Sequence, residues 1–78
     1  MRATLTVRED NTGTLTTEIR GVTKTTEIEG RANHGVMALA NREVEKLGVY
    51  VQCWEGGYRD GGSRHYNTLL DYRPMFLD

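Results

Sequence analysis

Apolar side chains recur at every second position over the first third of the chain. Ala3, Leu5 and Val7 alternate with threonine and arginine, and the same alternation returns over residues 14–20 and 24–30. A period of two residues is typical of a strand with one buried and one exposed face, and threonine suits such strands. The pattern therefore predicts three strands in succession.

Turn-forming residues separate these strands. Asp10–Gly13 joins the first two strands, and residues 21–23 join the second to the third. The inward residues of the first two strands all have odd numbers. The numbers of two facing residues must therefore add up to an even number. That parity predicts a three-residue loop that ends near a left-handed Gly13. In the third strand the alternation places Thr26 and Ile28 inward.

A helical period occurs once, over residues 34–47. Its apolar stripe, with the spacing i, i+4, i+8, consists of Val36, Met37, Ala40, Val44 and Leu47. Asn33 precedes this segment and is a suitable N-cap, because its side chain can accept a hydrogen bond from the first turn. Gly48 follows it and predicts the left-handed end of the helix.

An aromatic hairpin follows the helix. Two strand candidates, residues 49–55 and 64–72, flank a glycine-rich loop with Asp60-Gly61 near its middle. With that turn, facing residues sum to 121, and a turn at Gly61-Gly62 changes the partners but not the faces. The inward side then holds Val49, Val51, Cys53, Thr68, Leu70 and Tyr72, and the outward side holds Tyr50, Trp54 and Tyr58.

The succession strand-strand-strand-helix-strand-strand predicts one α+β domain spanning residues 1–78. Its mainly antiparallel, five-stranded sheet carries one helix, and one helix can cover only one face. Strand two already lies between strands one and three. An all-antiparallel sheet therefore needs strand five beside strand one, which favours the order 3-2-1-5-4. The rival order 1-2-3-4-5 makes strands three and four parallel through a right-handed crossover.

Composition narrows the class of protein. The net charge of −1 gives no overall attraction for nucleic acid or anionic membranes, and no apolar run is long enough to span a bilayer. The only cysteine, Cys53, excludes an intrachain disulfide and is typical of a reducing compartment. We therefore expect a cytoplasmic protein without a membrane association.

The residue pattern gives little support for a metal site, a phosphate-binding loop or a catalytic site. The cysteine and histidine residues lack the close spacing of metal ligands, and the glycine-rich loop precedes a strand rather than the helix of a phosphate-binding loop. The best arrangement for an enzyme combines His65, Glu55 and Arg64, but the register places Glu55 and His65 on different faces of the sheet. We expect no metal, no cofactor and no catalytic residue.

The outward aromatics favour a protein-binding surface. Tyr50, Trp54 and Tyr58 are residue types enriched at interface hot spots, and Arg59 and Arg64 lie near the hairpin tip. A homodimer would bury the same aromatics, as would the C-terminal residues Met75–Leu77 folded over them.

Acidic residues on the outward side of strands two and three complete the predicted partner-binding set: Glu18, Glu27 and Glu29. These carboxylates could meet lysines of a nucleic-acid-binding partner, and they disfavour direct nucleic-acid binding. The alternative is a small module that stacks single-stranded bases on the sheet aromatics.

Beginning at Thr26, the layout Ile28-Glu29-Gly30, Asn33, a small-residue helix and an aromatic hairpin resembles several phage-encoded anti-CRISPR proteins. The resemblance covers about two thirds of the chain and lies in layout, so no site residue is transferred by position. It implies a non-catalytic inhibitor in the bacterial host cytoplasm. Such an inhibitor docks on a CRISPR surveillance complex and obstructs target DNA.

Overall fold

The computed structural model of the chain describes residues 1–31 and 35–72 and forms a small α+β domain. Its elements are β1 (Arg2–Arg8), β2 (Thr12–Ile19), β3 (Val22–Glu29), α1 (Val36–Glu45), β4 (Val49–Val51), β5 (Glu55–Asp60) and β6 (Ser63–Tyr72). The N-cap of α1 is Gly35, so the prediction of Asn33 as N-cap is wrong, and Asn33 itself and the segment Met75–Leu77 lie outside the described residues.

The strands form one curled antiparallel sheet. Its order is β3-β2-β1-β6-β4, and β5 also pairs with β6. The predicted order 3-2-1-5-4 is thus correct in part. The sheet has six strands rather than five, because the predicted strand 49–55 is interrupted after Val51 and the chain resumes pairing at Glu55. Both β4 and β5 lie along the long strand β6, which pairs with β1 through its other edge.

The loop between β1 and β2 has three residues, as the parity of the inward side chains predicts, since Val7 faces Gly13 and Leu5 faces Leu15. Its left-handed residue is Asn11, with φ of 64°, and not Gly13. Asp10 organises the loop because its Oδ1 accepts hydrogen bonds from the Thr12 amide at 3.1 Å and hydroxyl at 2.6 Å. The hydroxyl bond is the main reason that the pKa of Asp10 is lowered.

Gly13 has a packing role instead. A Cβ atom at this position would lie 2.5 Å from Val36 Cγ1 and 2.7 Å from the Thr6 carbonyl oxygen. The absence of a side chain therefore lets the first turn of α1 approach the β1–β2 ladder closely.

Helix α1 is shorter than the predicted segment 34–47. Val36, Ala40 and Val44 are buried along one face, as the stripe predicts. Leu47 lies in the turn beyond the helix and is 39% exposed, so its assignment to the stripe is wrong. Gly48, with φ of 82°, makes the expected left-handed turn into β4. No helix in the described part of the chain is long and apolar enough to cross a membrane.

One apolar layer holds α1 to the sheet. The buried apolar residues are Ala3, Leu5, Leu15, Ile28, Val36, Ala40, Val44, Val49 and Leu70. They come from the helix and from strands at both ends of the sheet order, so the helix spans the sheet rather than one hairpin.

Near the end of β6 the predicted inward side is partly wrong. The register agrees with the expected sum of 121, because Val49 faces Tyr72 and Val51 faces Leu70. Val49 and Leu70 are buried, but Tyr72 is 50% exposed. Its hydroxyl accepts a hydrogen bond from Arg20 Nε at 3.2 Å, and the Arg20 guanidinium lies 5.2 Å from the ring centroid. Tyr72 thus covers Arg20 instead of joining the core.

Cys53 is exposed, and its predicted place in the core is wrong. Strand β4 ends at Val51, so the alternation of faces does not extend to Cys53. Its backbone amide instead donates to Thr68 Oγ1 at 3.2 Å.

Two valine substitutions test this core. Val49 is 1% exposed beneath the helix, whereas Val22 at the start of the edge strand β3 is 66% exposed. Val49→Ala should lower the free energy of unfolding by about 1–3 kcal/mol through lost burial and a residual cavity. Val22→Ala should change it by about 0.5 kcal/mol or less. Urea denaturation followed by circular dichroism measures both, and equal losses would contradict the assigned core.

Candidate binding face

The sheet face opposite α1 is the open face. Within the described residues no element packs on it, because the helix contacts the side that carries Leu5, Leu15 and Val49. Strand alternation places the intervening side chains on this opposite side. Its main members are Arg2, Thr4, Thr6, Arg8, Thr14, Thr16, Glu18, Thr25, Glu27, Glu29, Tyr50, Tyr58, His65, Asn67, Leu69 and Asp71.

A row of hydroxyl groups crosses the centre of the open face. Thr4 of β1 lies directly opposite Thr16 of β2, which lies directly opposite Thr25 of β3. The Thr16 and Thr25 hydroxyl oxygens are 3.5 Å apart. On the other side of β1, Asn67 of β6 continues the row. The row presents polar groups and methyl groups together on a regular sheet surface.

Arg8 orders the neighbouring part of the face. Its guanidinium donates to the hydroxyls of Thr12 and Thr14 and to Glu27 Oε2, which lies 3.4 Å from Nη1. The Thr14 hydroxyl in turn donates to Glu27 Oε1 at 2.8 Å. These side chains from three strands therefore hold one another in place before any partner arrives.

Tyr58 and His65 form the aromatic end of the open face. They face each other across β5 and β6, and their ring centroids are 5.4 Å apart. His65 Nδ1 is 3.2 Å from the Thr6 hydroxyl, and its Nε2 is 3.7 Å from Asp60 Oδ2. A cleft of about 240 Å³ lies beside these rings, with Thr4 and Asn67 also in its walls.

Two of the three predicted aromatic anchors lie on the open face. Tyr58 is 67% exposed, and Leu69 beyond it is also exposed. Tyr50 lies opposite Asp71 at the far end of the face and is half-buried. The two tyrosines therefore mark separate ends of the surface rather than one cluster.

Trp54 does not belong to the open face, so its predicted exposure there is wrong. The indole packs against the core, and its Nε1–H donates to Asn41 Oδ1 of α1 at 2.7 Å. Residues 52–54 lie outside the strands, and strand alternation therefore does not fix the direction of this side chain. Trp54 is a structural contact between the hairpin and the helix.

The prediction that Arg59 and Arg64 belong to the open face with the aromatic residues is also wrong. Arg64 faces Val7, which packs against the core, and Arg59 faces Arg64. Directly opposed residues share a face, so both arginines lie on the helix side of the sheet, at the hairpin tip. The turn there is Gly61-Gly62, since Asp60 faces Ser63.

The predicted acidic residues do lie on the open face, but arginines accompany two of them. Glu18 Oε2 is 4.0 Å from Arg2 Nε, and Glu27 is paired with Arg8. Glu29 has no ion pair among the residues the structure describes. The acidic region is therefore a mixed-charge surface with an excess of carboxylates.

Glu55 and His65 share a face, contrary to the predicted register, because Glu55 faces Asn67. Arg64 is on the opposite side, so the three residues of the enzyme-like arrangement still do not converge. The contacts of His65 with Thr6 and Asp60 lie at the protein surface, and the Asp60 side chain is 80% exposed. Across the described ranges, no group of three acidic, histidine or cysteine side chains could hold a metal ion.

Neither the ordering role of Arg8 nor the threonine row was predicted from the sequence. The sequence does carry the signal, since Thr4, Thr6 and Arg8 share one parity in β1 and Thr14 and Thr16 share one in β2. This shared parity places their side chains on one face of the sheet. Comparisons with family models, curated proteins and solved structures find no match to this chain.

The Trp54–Asn41 hydrogen bond is testable by a double-mutant cycle. Trp54→Phe should lower the free energy of unfolding by about 1 kcal/mol, because it removes the N–H donor and leaves the amide oxygen of Asn41 without it. Asn41→Ala should cost a similar amount, and the double variant should cost less than the two single losses together. Tyr58→Phe, an exposed control, should change the unfolding free energy by about 0.5 kcal/mol or less. Strict additivity in urea denaturation would refute the contact.

Proposed function

We propose that this chain is a non-catalytic binding protein that docks on a larger nucleoprotein complex through its open face and obstructs it. The observation that carries the proposal is a sheet face left bare by the described elements while its side chains are already ordered.

Preorganisation supports docking by this face. Binding costs free energy for each flexible side chain that it immobilises, about 0.5–1.5 kcal/mol for a rotamer-rich one. Arg8, Thr14 and Glu27 are already fixed by mutual hydrogen bonds. Strand backbone holds the threonine row, and a threonine side chain has little freedom to lose.

The aromatic end supplies the anchor. Tyr58 is a large, exposed side chain whose ring rests beside His65. Tyrosine is enriched among interface hot spots because it offers apolar area and a hydroxyl together. Exposed Leu69 extends the apolar area on the same face.

Charge indicates the kind of partner. Carboxylates outnumber arginines on the open face, and the chain carries a net charge of −1. Such a surface is complementary to a basic protein surface and not to a phosphate backbone. The resemblance to phage-encoded anti-CRISPR proteins makes a CRISPR surveillance complex in the bacterial cytoplasm the proposed partner, with loss of target DNA binding as the consequence.

The alternative, a single-stranded nucleic-acid-binding module, has less support from the geometry. Base stacking on a sheet uses neighbouring aromatics with basic residues beside them. Here Trp54 packs against the helix, Tyr50 and Tyr58 lie at separate ends, and Arg59 and Arg64 lie on the other face.

Matched tyrosine variants test the docking face. Purified surveillance complexes immobilised on a biosensor are titrated with the wild-type protein, with Tyr58→Ala and with Tyr72→Ala. Tyr58→Ala should weaken binding by about 2 kcal/mol, or roughly thirtyfold, if Tyr58 is a hot spot. Tyr72→Ala removes an exposed tyrosine next to Arg20 and outside the open face, and it should bind as the wild type does.

Three results would count against the proposal. Equal losses in both variants would place the interface elsewhere, and no binding to any surveillance complex would remove the proposed partner. A wild-type dimer that Tyr58→Ala converts to a monomer, measured by light scattering, would make the open face a self-interface.

Direct nucleic-acid binding is tested separately. Labelled single-stranded DNA and RNA are titrated with the protein by fluorescence anisotropy at physiological salt, and we expect no micromolar affinity. The reason is the net negative charge, since nonspecific binding to nucleic acid depends on phosphate neutralisation by basic residues. Micromolar binding that weakens in Tyr50→Ala and Tyr58→Ala would favour the alternative function.

A further inference from the structure

Two arginines face each other at the tip of the β5–β6 hairpin. A row of directly opposed residues crosses the helix side of the sheet from Ile28 through Gly13 and Val7 to Arg64, and it ends at Arg59. The row begins in the buried core and ends with two exposed guanidinium groups. Neither arginine has an ion pair or hydrogen-bond partner within the described ranges.

This pairing is unfavourable for the hairpin by itself. Like charges directly opposite each other in an antiparallel pair are destabilising, whereas opposite charges stabilise it. Other arginines of the chain avoid the problem, because Arg2 and Arg8 face carboxylates and Arg20 lies over the Tyr72 ring. Positions where a sequence breaks a local rule without compensation are often functional sites.

The arginine pair lines a groove. A cleft of about 280 Å³ lies against Arg59, Arg64, Tyr66, Ser63 and the turn glycines. Arg8 and Glu9 also line this cleft, and a Cβ on Gly62 would lie 3.1 Å from the carboxyl carbon of Glu9. The groove therefore brings three arginines together with one carboxylate, and Arg8 is already paired with Glu27.

We propose that the Arg59–Arg64 groove binds a single phosphate group. The groove adjoins the open face at Arg8 and Ser63, but Arg59 and Arg64 themselves lie on the helix side of the sheet. The source of the phosphate is free inorganic phosphate or the phosphate of a mononucleotide.

The chemistry of the groove selects phosphate over a carboxylate or a nucleic-acid strand. Two guanidinium forks offer parallel N–H donors to several oxygens, and a phosphate has enough terminal oxygens for both, whereas one fork already satisfies the two oxygens of a carboxylate. A strand of phosphodiesters would bring further negative charge against Glu9 and Asp60 near the tip. The groove thus suits one phosphate and not a chain of them.

The test is an NMR titration of the ¹⁵N-labelled protein with inorganic phosphate, with adenosine monophosphate and with adenosine. Phosphate should shift the amides of Ser63 and Arg64 and the Nε–H signals of Arg59 and Arg64, and adenosine should not. Tighter binding of adenosine monophosphate than of inorganic phosphate would identify a nucleotide as the source, and equal binding would identify free phosphate.

Charge-reversal variants distinguish phosphate binding at the Arg59–Arg64 groove from a general effect of net charge on phosphate binding. Arg59→Glu should weaken phosphate binding at least tenfold and raise the thermal midpoint of unfolding, because the like-charge pair with Arg64 becomes an opposite-charge pair. Arg59→Lys retains the charge without the fork and should lose part of the affinity. Arg2→Glu, the matched charge change on the open face, should leave phosphate binding within twofold of the wild type.

The proposal is overturned if phosphate shifts all arginine signals alike, or if Arg2→Glu weakens binding as much as Arg59→Glu does. It is also overturned if Arg59→Glu retains wild-type phosphate affinity in a folded protein, as judged by dispersed amide signals.

Discussion

The packing of one short helix on one face of the sheet determines the rest of the structure. Helix α1 has ten residues, and its Val36, Ala40 and Val44 pack on one face of the sheet, against side chains from strands at both ends of the sheet order. Most apolar side chains of the strands therefore point to the same side. The other side, within the described chain, carries mainly threonines and charged residues, with Tyr58 and Leu69 as its exposed apolar side chains.

This constraint explains which contacts are structural and which are available. Gly13 lets the first turn of the helix approach the sheet, and Trp54 ties its middle to the second hairpin through Asn41. An aromatic residue that composition alone assigns to a binding surface is thus part of the support for the fold. Tyr58, which has no contact with the helix side, retains its exposed ring.

Strand alternation could be read from the sequence wherever the strands are regular. The parity of Leu5 and Leu15 predicted both the first register and the loop length, because side chains in an uninterrupted strand alternate strictly. The second hairpin could not be predicted in the same way. Its pairing changes at Gly56 and Gly57, which both have positive φ, and residues 52–54 lie outside the strands, although the Gln52 amide still donates to the Leu69 carbonyl oxygen. Each one-residue irregularity exchanges the two faces.

The candidate site was predictable to the same extent. The outward positions of Glu18 and Glu27 followed from regular strands, but their arginine partners depended on side-chain packing between strands that alternation does not describe. The separation of Arg59 from Tyr58, by contrast, follows from alternation alone, because neighbouring residues of a strand point to opposite faces. The protein consequently has two exposed regions that adjoin at Arg8: the open face and the arginine groove.

The threonine methyl groups provide the most direct test of docking by the open face. Thr4, Thr16 and Thr25 lie across that face, whereas Thr17 and Thr68 are buried on the helix side. The measurement is an NMR titration of the protein with labelled threonine methyl groups. Addition of the partner nucleoprotein complex should broaden or shift the methyl signals of Thr4, Thr16 and Thr25. The methyl signals of Thr17 and Thr68 should stay sharp relative to them. Unchanged signals for the open-face threonines in a complex that forms would contradict the account.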